Sequence, residues 1–143
     1  MNNTYNTSEL ENFIYKLLSK LNFTIIRQYS SEVYPWLCDF YIKELNLYIE
    51  IQGFPTHGKE GTKVLGPYDS NNPKHKILLE KWQKRAKNTY NDWYTNAIKI
   101  WTCEDLEKRR IAKENNLNWI EFFTLEEFVE WYIDFFQNGK LNS

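Results

Sequence analysis

The stretch WLCDFYIKELNLYIEIQ, Trp36 to Gln52, decides the fold. Two apolar runs rich in aromatic and β-branched residues, 36–42 and 47–52, flank the short polar segment 43–46, which is the pattern of a β-hairpin. Each run contains one carboxylate, Asp39 in the first and Glu50 in the second. A two-residue loop at Glu44 and Leu45 pairs Lys43 with Asn46, and a four-residue loop over 43–46 pairs Ile42 with Leu47. Both loops give the same register. In it Asp39 stands directly opposite Glu50 on one face, with Cβ atoms about 4.5–5.5 Å apart. Two like charges there are destabilising by themselves, and flanks such as Leu37, Phe40, Ile49 and Ile51 are too apolar for a solvated hairpin. A divalent cation between the two resolves the conflict, and oxygen ligands of this kind suit Mg²⁺, with Mn²⁺ as substitute. Gln52, two residues past Glu50, points to the same face.

Outward from the hairpin, helical and extended patterns alternate. Leu10, Phe13, Ile14, Leu17, Leu18 and Leu21 form one stripe at helical spacing, and Ser8 with Glu11 supplies the S-x-x-E capping pattern, so a helix is expected over 8–21. Residues 23–29, FTIIRQY, predict a strand. Residues 53–72 are dense in Gly and Pro and predict a loop without regular structure. A connection of that length in a compact domain is usually functional. A long helix is expected over 74–94, with Leu78, Trp82, Ala86, Thr89 and Trp93 on one face. Then come a short strand at 97–101 (AIKIW), a helix over 102–116, a strand at 118–123 and a last helix opening at Thr124 with Glu127. The order α-β-β-β-α-β-α-β-α implies an α/β domain, a mixed sheet with helices on its faces, in one unit over 1–143.

Composition narrows the classes. The 143 residues are 42% hydrophobic and 17% aromatic, enough for one packed core, and the net charge is −1. No apolar run approaches the ~18–20 residues that cross a bilayer, so no membrane partner is expected. The polar start, Met1 to Ser8, carries no signal-peptide pattern, and Cys38 and Cys103 make no disulfide framework, so the expected location is the reducing cytoplasm. Two Cys and two His without ligand spacing argue against zinc, and no glycine-rich nucleotide loop occurs. The charge is unevenly distributed. Residues 74–113 hold eleven Lys or Arg against five Asp or Glu, which makes this the anion-facing part of the chain. Lys74, Lys81, Lys84 and Arg85, with Lys108, Arg109 and Arg110, are candidate phosphate contacts, and the competing reading is a solvated helix face. His57 lies in the Gly/Pro-rich loop just beyond Gln52. An imidazole titrates near 6.5 and accepts a proton at neutral pH, though a surface-loop His is the plain alternative.

These residues together resemble the PD-(D/E)XK nuclease superfamily, and within it the very-short-patch-repair-like branch and related phage or homing endonucleases. The residues that carry the likeness are a helix with Glu11, the hairpin CDFYI…LYIEIQG, His57 in GFPTHG, and Asp105 and Lys108 in a later D-x-x-K helix; together they span about residues 8–123. The resemblance implies a restriction-endonuclease-like αβββαβ core with an extra C-terminal strand and helix. It implies Mg²⁺-dependent hydrolysis of DNA phosphodiester bonds by a monomer or homodimer. It places Asp39 and Glu50 at the metal, with the Ile51 backbone carbonyl as a further ligand, and makes Asp39, Glu50, Gln52, His57 and Glu11 the catalytic set. Glu11 also has a purely capping explanation. The chain departs from the family at Gln52, which stands where the family carries Lys; a Gln can orient a water but brings no positive charge. Two other readings are weighed against the nuclease: a catalytically inactive nucleic-acid-binding domain of the same fold, and a protein-binding module.

Overall fold

The computed structural model describes residues 7–137. The polar start of the chain and the side chain of Ser8, half of the expected capping pair, lie outside the described residues. In chain order the elements are α1 (Thr7–Leu18), β1 (Ile25–Tyr29), β2 (Cys38–Ile42), β3 (Leu47–Ile51), β4 (Lys59–Glu60), β5 (Lys63–Val64), α2 (Pro73–Lys87), α3 (Trp93–Lys99), α4 (Asp105–Glu114), β6 (Asn118–Phe122) and α5 (Leu125–Gln137). They fall into two compact units, one made of the chain up to Gly53 and from Leu117 on, the other of Phe54–Asn116. Among the described residues no helix is long and apolar enough to cross a membrane.

The first unit is built on a four-stranded mixed sheet in the order β1-β2-β3-β6. The β2 strand runs antiparallel to both β1 and β3, and β6 lies parallel to β3. The hairpin takes the expected register, with Phe40 opposite Ile49, Tyr41 opposite Tyr48 and Ile42 opposite Leu47. Its connection is the four-residue form: Lys43–Leu45 make a 3-10 turn, and Asn46 closes it at φ 49°, a left-handed conformation that Asn tolerates. Strand alternation then sorts the side chains. Phe40, Ile42, Leu47, Ile49, Ile51 and Phe122 bury against Ile14 and Leu18 of α1 and Phe128 of α5. Burying a side chain of this size stabilises by roughly 1.5–3 kcal/mol each. The alternate positions carry Tyr41 and Tyr48, whose rings lie 5.0 Å apart edge to face, with Tyr29 stacked on Tyr41 at 3.9 Å.

The second unit corrects several sequence expectations. Residues 53–72 are not devoid of regular structure: Pro55–His57 form a 3-10 turn, and β4 and β5 pair as a small antiparallel hairpin. Gly58 between them is obligatory, because its φ is +93° and an added Cβ would meet Trp101 Nε1 at 2.2 Å. The helix expected over 74–94 is two helices. α2 opens at Asn72, whose side chain accepts from Lys74 N at 2.9 Å, and closes at Lys87; α3 starts at Trp93. Residues 97–101 are not a strand. They belong to a continuous helical run in which α3 passes through a π-helical segment, Ile100–Glu104, into α4. Ala97 and Trp101, four residues apart, are both fully buried against Leu78 and Trp82 of α2, so helical packing outweighs the β propensity of AIKIW. The sheet therefore has four strands where five were expected, and the supposed extra C-terminal strand, β6, is its fourth. Only α5 follows it.

Candidate active site

The broken stretch of the sheet lies at Asp39. Ladder pairing of β2 with β3 ends at Phe40–Ile49, one step short of the Asp39–Glu50 pair. In place of a strand bond, the Ile51 N–H donates to Asp39 Oδ2 at 2.7 Å. On the other side, Gln28 falls between the pairs Arg27–Phe40 and Tyr29–Cys38, opposite Asp39, and takes φ 54°. Both neighbours of Asp39 thus depart from regular pairing at the same level.

The carboxylates converge there. Glu50 is 3% exposed, its Oε1 lies 3.4 Å from the Asp39 amide, and its other oxygen accepts a short hydrogen bond from the Tyr34 hydroxyl. Tyr34, fully buried, in turn accepts from Trp119 Nε1 at 3.2 Å. Burial and the Glu50 charge push the Tyr34 hydroxyl pKa far up, so it remains a donor. Glu11 reaches Asp39 from α1, and the two carboxyl groups lie close enough to titrate together. Burial first, and the Glu50 charge second, push Asp39 up to about 6, against which the Ile51 N–H and Glu11 act to lower it. Burial and the Asp39 charge push Glu11 up to about 7, although the Arg27 guanidinium, 3.6 Å away, acts to lower it. Burial also raises the Cys38 thiol, which donates toward the Phe40 and Ile49 carbonyls and stays protonated.

Gln52 is 5% exposed, just past the end of β3. Its backbone N–H donates to the Phe122 carbonyl at 2.7 Å and its side-chain Nε2 to Glu121 Oε1 at 3.2 Å. Glu121 pairs with Glu50 across β3 and β6. Ile51, the last residue of β3, is 7% exposed and gives its N–H to Asp39. The structure thus gathers Glu11, Asp39, Glu50 and Gln52, all within the first unit, and adds Tyr34, Arg27 and Glu121. Nothing in the sequence pattern marked those three, because each comes from a different element and none sits in a motif.

His57 and Asp105 belong to the second unit, and the structure brings them together although 48 residues separate them. His57 Nδ1 lies 2.6 Å from Asp105 Oδ2, and Asp105 is 1% exposed. A carboxylate on Nδ1 fixes the ring orientation and leaves Nε2 as the working nitrogen, the arrangement that makes a His an oriented base. Asp105 opens α4 directly after the π-helical segment, a local irregularity that is frequent at functional sites. His75 has no comparable role: it is 4% exposed and its Nδ1 accepts from the Asp69 N–H at 3.0 Å.

Of the candidate phosphate contacts, Lys74, Lys81, Lys84 and Arg85 stand exposed on α2, with Lys81 2.8 Å from Glu60. On α4, Lys108 and Arg109 are half-buried, and Arg110 forks between Glu107 and Glu114 of the same helix, which offsets its charge. Among the described residues, no group of three or more His, Cys, Asp or Glu side chains surrounds one point as an ion cage. Mg²⁺ does not require one, since it keeps several waters and binds through one or two carboxylates together with substrate phosphates. The Asp39 and Glu50 oxygens are hard donors of that kind. No family model, no curated protein and no solved structure matches this chain, so the functional reading rests on the chemistry of these residues.

Proposed function

We propose that the chain is a metal-dependent endonuclease that hydrolyses phosphodiester bonds in DNA, with Mg²⁺ held by Asp39 and Glu50. One observation carries this reading: the buried Glu50 and the half-buried Asp39 stand opposite each other at a break in the sheet, with Glu11 beside Asp39. Acids placed so are costly unless a cation joins them. The meander of β1, β2 and β3 followed by a helical crossover to the parallel β6 also supports a restriction-endonuclease-like core.

Bound there, Mg²⁺ would polarise the phosphate and stabilise the charge that develops on it. The protein's own groups divide the remaining work. Asp39 and Glu50 would hold the ion, with the Ile51 carbonyl as a further donor and Glu11 beside Asp39. Tyr34 fixes the Glu50 carboxylate through its hydroxyl. Gln52, tied to Glu121, positions without adding charge. His57 and Asp105 form a separate pair within the second unit.

The Gln52–Glu121 bond also favours a second reading, a nucleic-acid-binding domain of this fold without cleavage, because the usual cationic position is filled by a neutral, already bonded amide. Incubating supercoiled plasmid with the protein and Mg²⁺ or Mn²⁺, against EDTA, separates the two. Metal-dependent nicking or linearisation that Asp39→Asn abolishes is the expected result. Salt-dependent binding without cleavage in either metal would overturn the nuclease reading.

A further inference from the structure

The second unit contains a groove that the carboxylate site does not use. It has a volume of about 470 Å³, and Lys59, Glu60, Lys81, Trp82, Arg85, Trp93 and Tyr94 are among its lining residues. That volume lies within the roughly 300–1,000 Å³ of ordinary ligand sites. Its chemistry is specific in two ways. Three aromatic rings meet at it: Trp93 lies edge to face with Trp82 at 5.9 Å and with Tyr94 at 5.0 Å. Three cations, Lys59, Lys81 and Arg85, face one carboxylate, Glu60, which is bound to Lys81. The Arg85 guanidinium lies 5.8 Å over the Tyr94 ring, a pairing that holds the ring and the positive charge in one place.

A packing role alone does not account for Trp93, which keeps 37% of its surface in solvent beside this groove. Aromatic faces select a flat ligand. The excess of cations rejects a cationic guest, such as an ammonium in an aromatic cage, and favours a ligand that is both flat and anionic. A base with its phosphate meets both conditions. A base inside a duplex does not, because its faces are covered by its neighbours and unstacking it costs a few kcal/mol. We propose that this groove is a binding site for an unpaired nucleotide, in which the base stacks on Trp93 and the phosphate is held by Arg85 and Lys81. The site names the form of nucleic acid that the proposed nuclease engages, yet it lies wholly within the second unit and is tested without metal.

The experiment uses the intact protein in EDTA and follows the anisotropy of a labelled oligothymidylate. The same strand annealed to oligoadenylate, and thymidine monophosphate, serve as competitors. The single strand should bind more tightly than the duplex, and more weakly as salt rises. Trp93→Ala should weaken single-strand binding about 5-fold or more, the low end of what one stacked base contributes, and Arg85→Ala should weaken it and flatten the salt slope. Trp93→Phe, which keeps a ring, should retain most of the affinity. Competition by the mononucleotide at concentrations that saturate the groove supports a site for a free nucleotide; competition by the single strand alone supports a nucleotide within a chain. The proposal is overturned if duplex and single strand bind equally, if Trp93→Ala binds like the wild type, or if Trp93→Phe is as weak as Trp93→Ala. Plasmid cleavage in Mg²⁺ is scored separately: groove-dependent binding with no cleavage sinks only the nuclease reading, and cleavage without groove-dependent binding sinks only this one.

Discussion

Replacing Asp39 by Asn should stabilise the metal-free protein at high pH and have almost no effect at low pH. Asp39 is pushed up to about 6 by burial and by the Glu50 charge, from an ordinary 3.8. Between those values the folded chain keeps a proton that the unfolded chain has lost. The folded state therefore binds more protons, and stability falls as pH rises from about 4 through the folded titration near 6, then stays flat. At about 1.36 kcal/mol per pH unit, a group standing alone would lose on the order of 3 kcal/mol. Asp39 and Glu11 titrate as a pair, so about 2 kcal/mol is the working figure for the single substitution. The Asn side-chain oxygen still accepts the Ile51 N–H, so the local geometry survives. Urea unfolding at pH 8 in EDTA should show the variant midpoint higher by about 1 M, given a slope of roughly 2 kcal/mol per M. The gap should close by pH 4. Adding Mn²⁺ should reverse the order, since an ion at 100 times its dissociation constant adds about 2.7 kcal/mol to the wild type and little to the variant. A wild type that matches the variant at pH 8, or one that gains nothing from Mn²⁺, would refute the idea that these acids are held together in wait for a cation.

Three further outcomes follow from the same geometry. Mn²⁺ or Mg²⁺ affinity, measured by calorimetry in buffers of different ionisation enthalpy, should fall as pH drops below about 7 and should be accompanied by proton release, because the raised Glu11 and Asp39 must ionise first; affinity independent of pH between 5 and 8 would place the ion elsewhere. His57→Ala should leave the buried Asp105 carboxylate without its imidazole partner and lower the urea midpoint of unfolding; an unchanged midpoint would show that the pair does not help to hold the second unit. Substituting Lys108 and Arg109 together should reduce the salt slope of DNA binding by about 2, whereas Arg110→Ala alone should leave it unchanged because Glu107 and Glu114 already hold that guanidinium; an equal effect of all three would show that the intrahelical pairs give way to phosphate.

The hairpin was legible because its pairing register follows from a loop of two or four residues alike, and either length set Asp39 against Glu50. Glu11 was legible as an acid on the right helix, but its closeness to Asp39 was not, since nothing in sequence sets the distance between a helix and a strand end. The misreading at 97–101 has a plain cause. Over five residues, AIKIW satisfies both a strand and a helix, and only the packing of Ala97 and Trp101 on Leu78 and Trp82 decides between them. The break near residue 88 was hidden for a related reason: the aromatic spacing continues through Trp93, while Asn91 accepts from the Trp93 N–H and starts a new helix. The His57–Asp105 pair could not be read at all. Sequence offered each residue a separate explanation, and a contact across 48 positions depends on the π-helical segment before Asp105 and on the turn that carries His57.

Two departures from ordinary sheet chemistry meet at one residue, and their coincidence is the strongest argument that the site is functional. A strand built only for stability would continue the pattern of Phe40, Ile42, Ile49 and Ile51 and keep its ladder intact. Here the ladder stops at Asp39, a side-chain oxygen takes the place of a backbone partner for the Ile51 N–H, and Gln28 across the sheet adopts φ 54°, which costs roughly 1 kcal/mol or more for a residue with a Cβ. The acids at the same level bring their own desolvation cost. Neither feature helps the core, whose cluster is complete on the opposite face. Local rules that fail together at one place, while every level around them agrees, are what the proposed metal site would require. The Tyr34 hydroxyl fits this view, because it is buried, held by Trp119, and spends its proton on one oxygen of Glu50 rather than on the core.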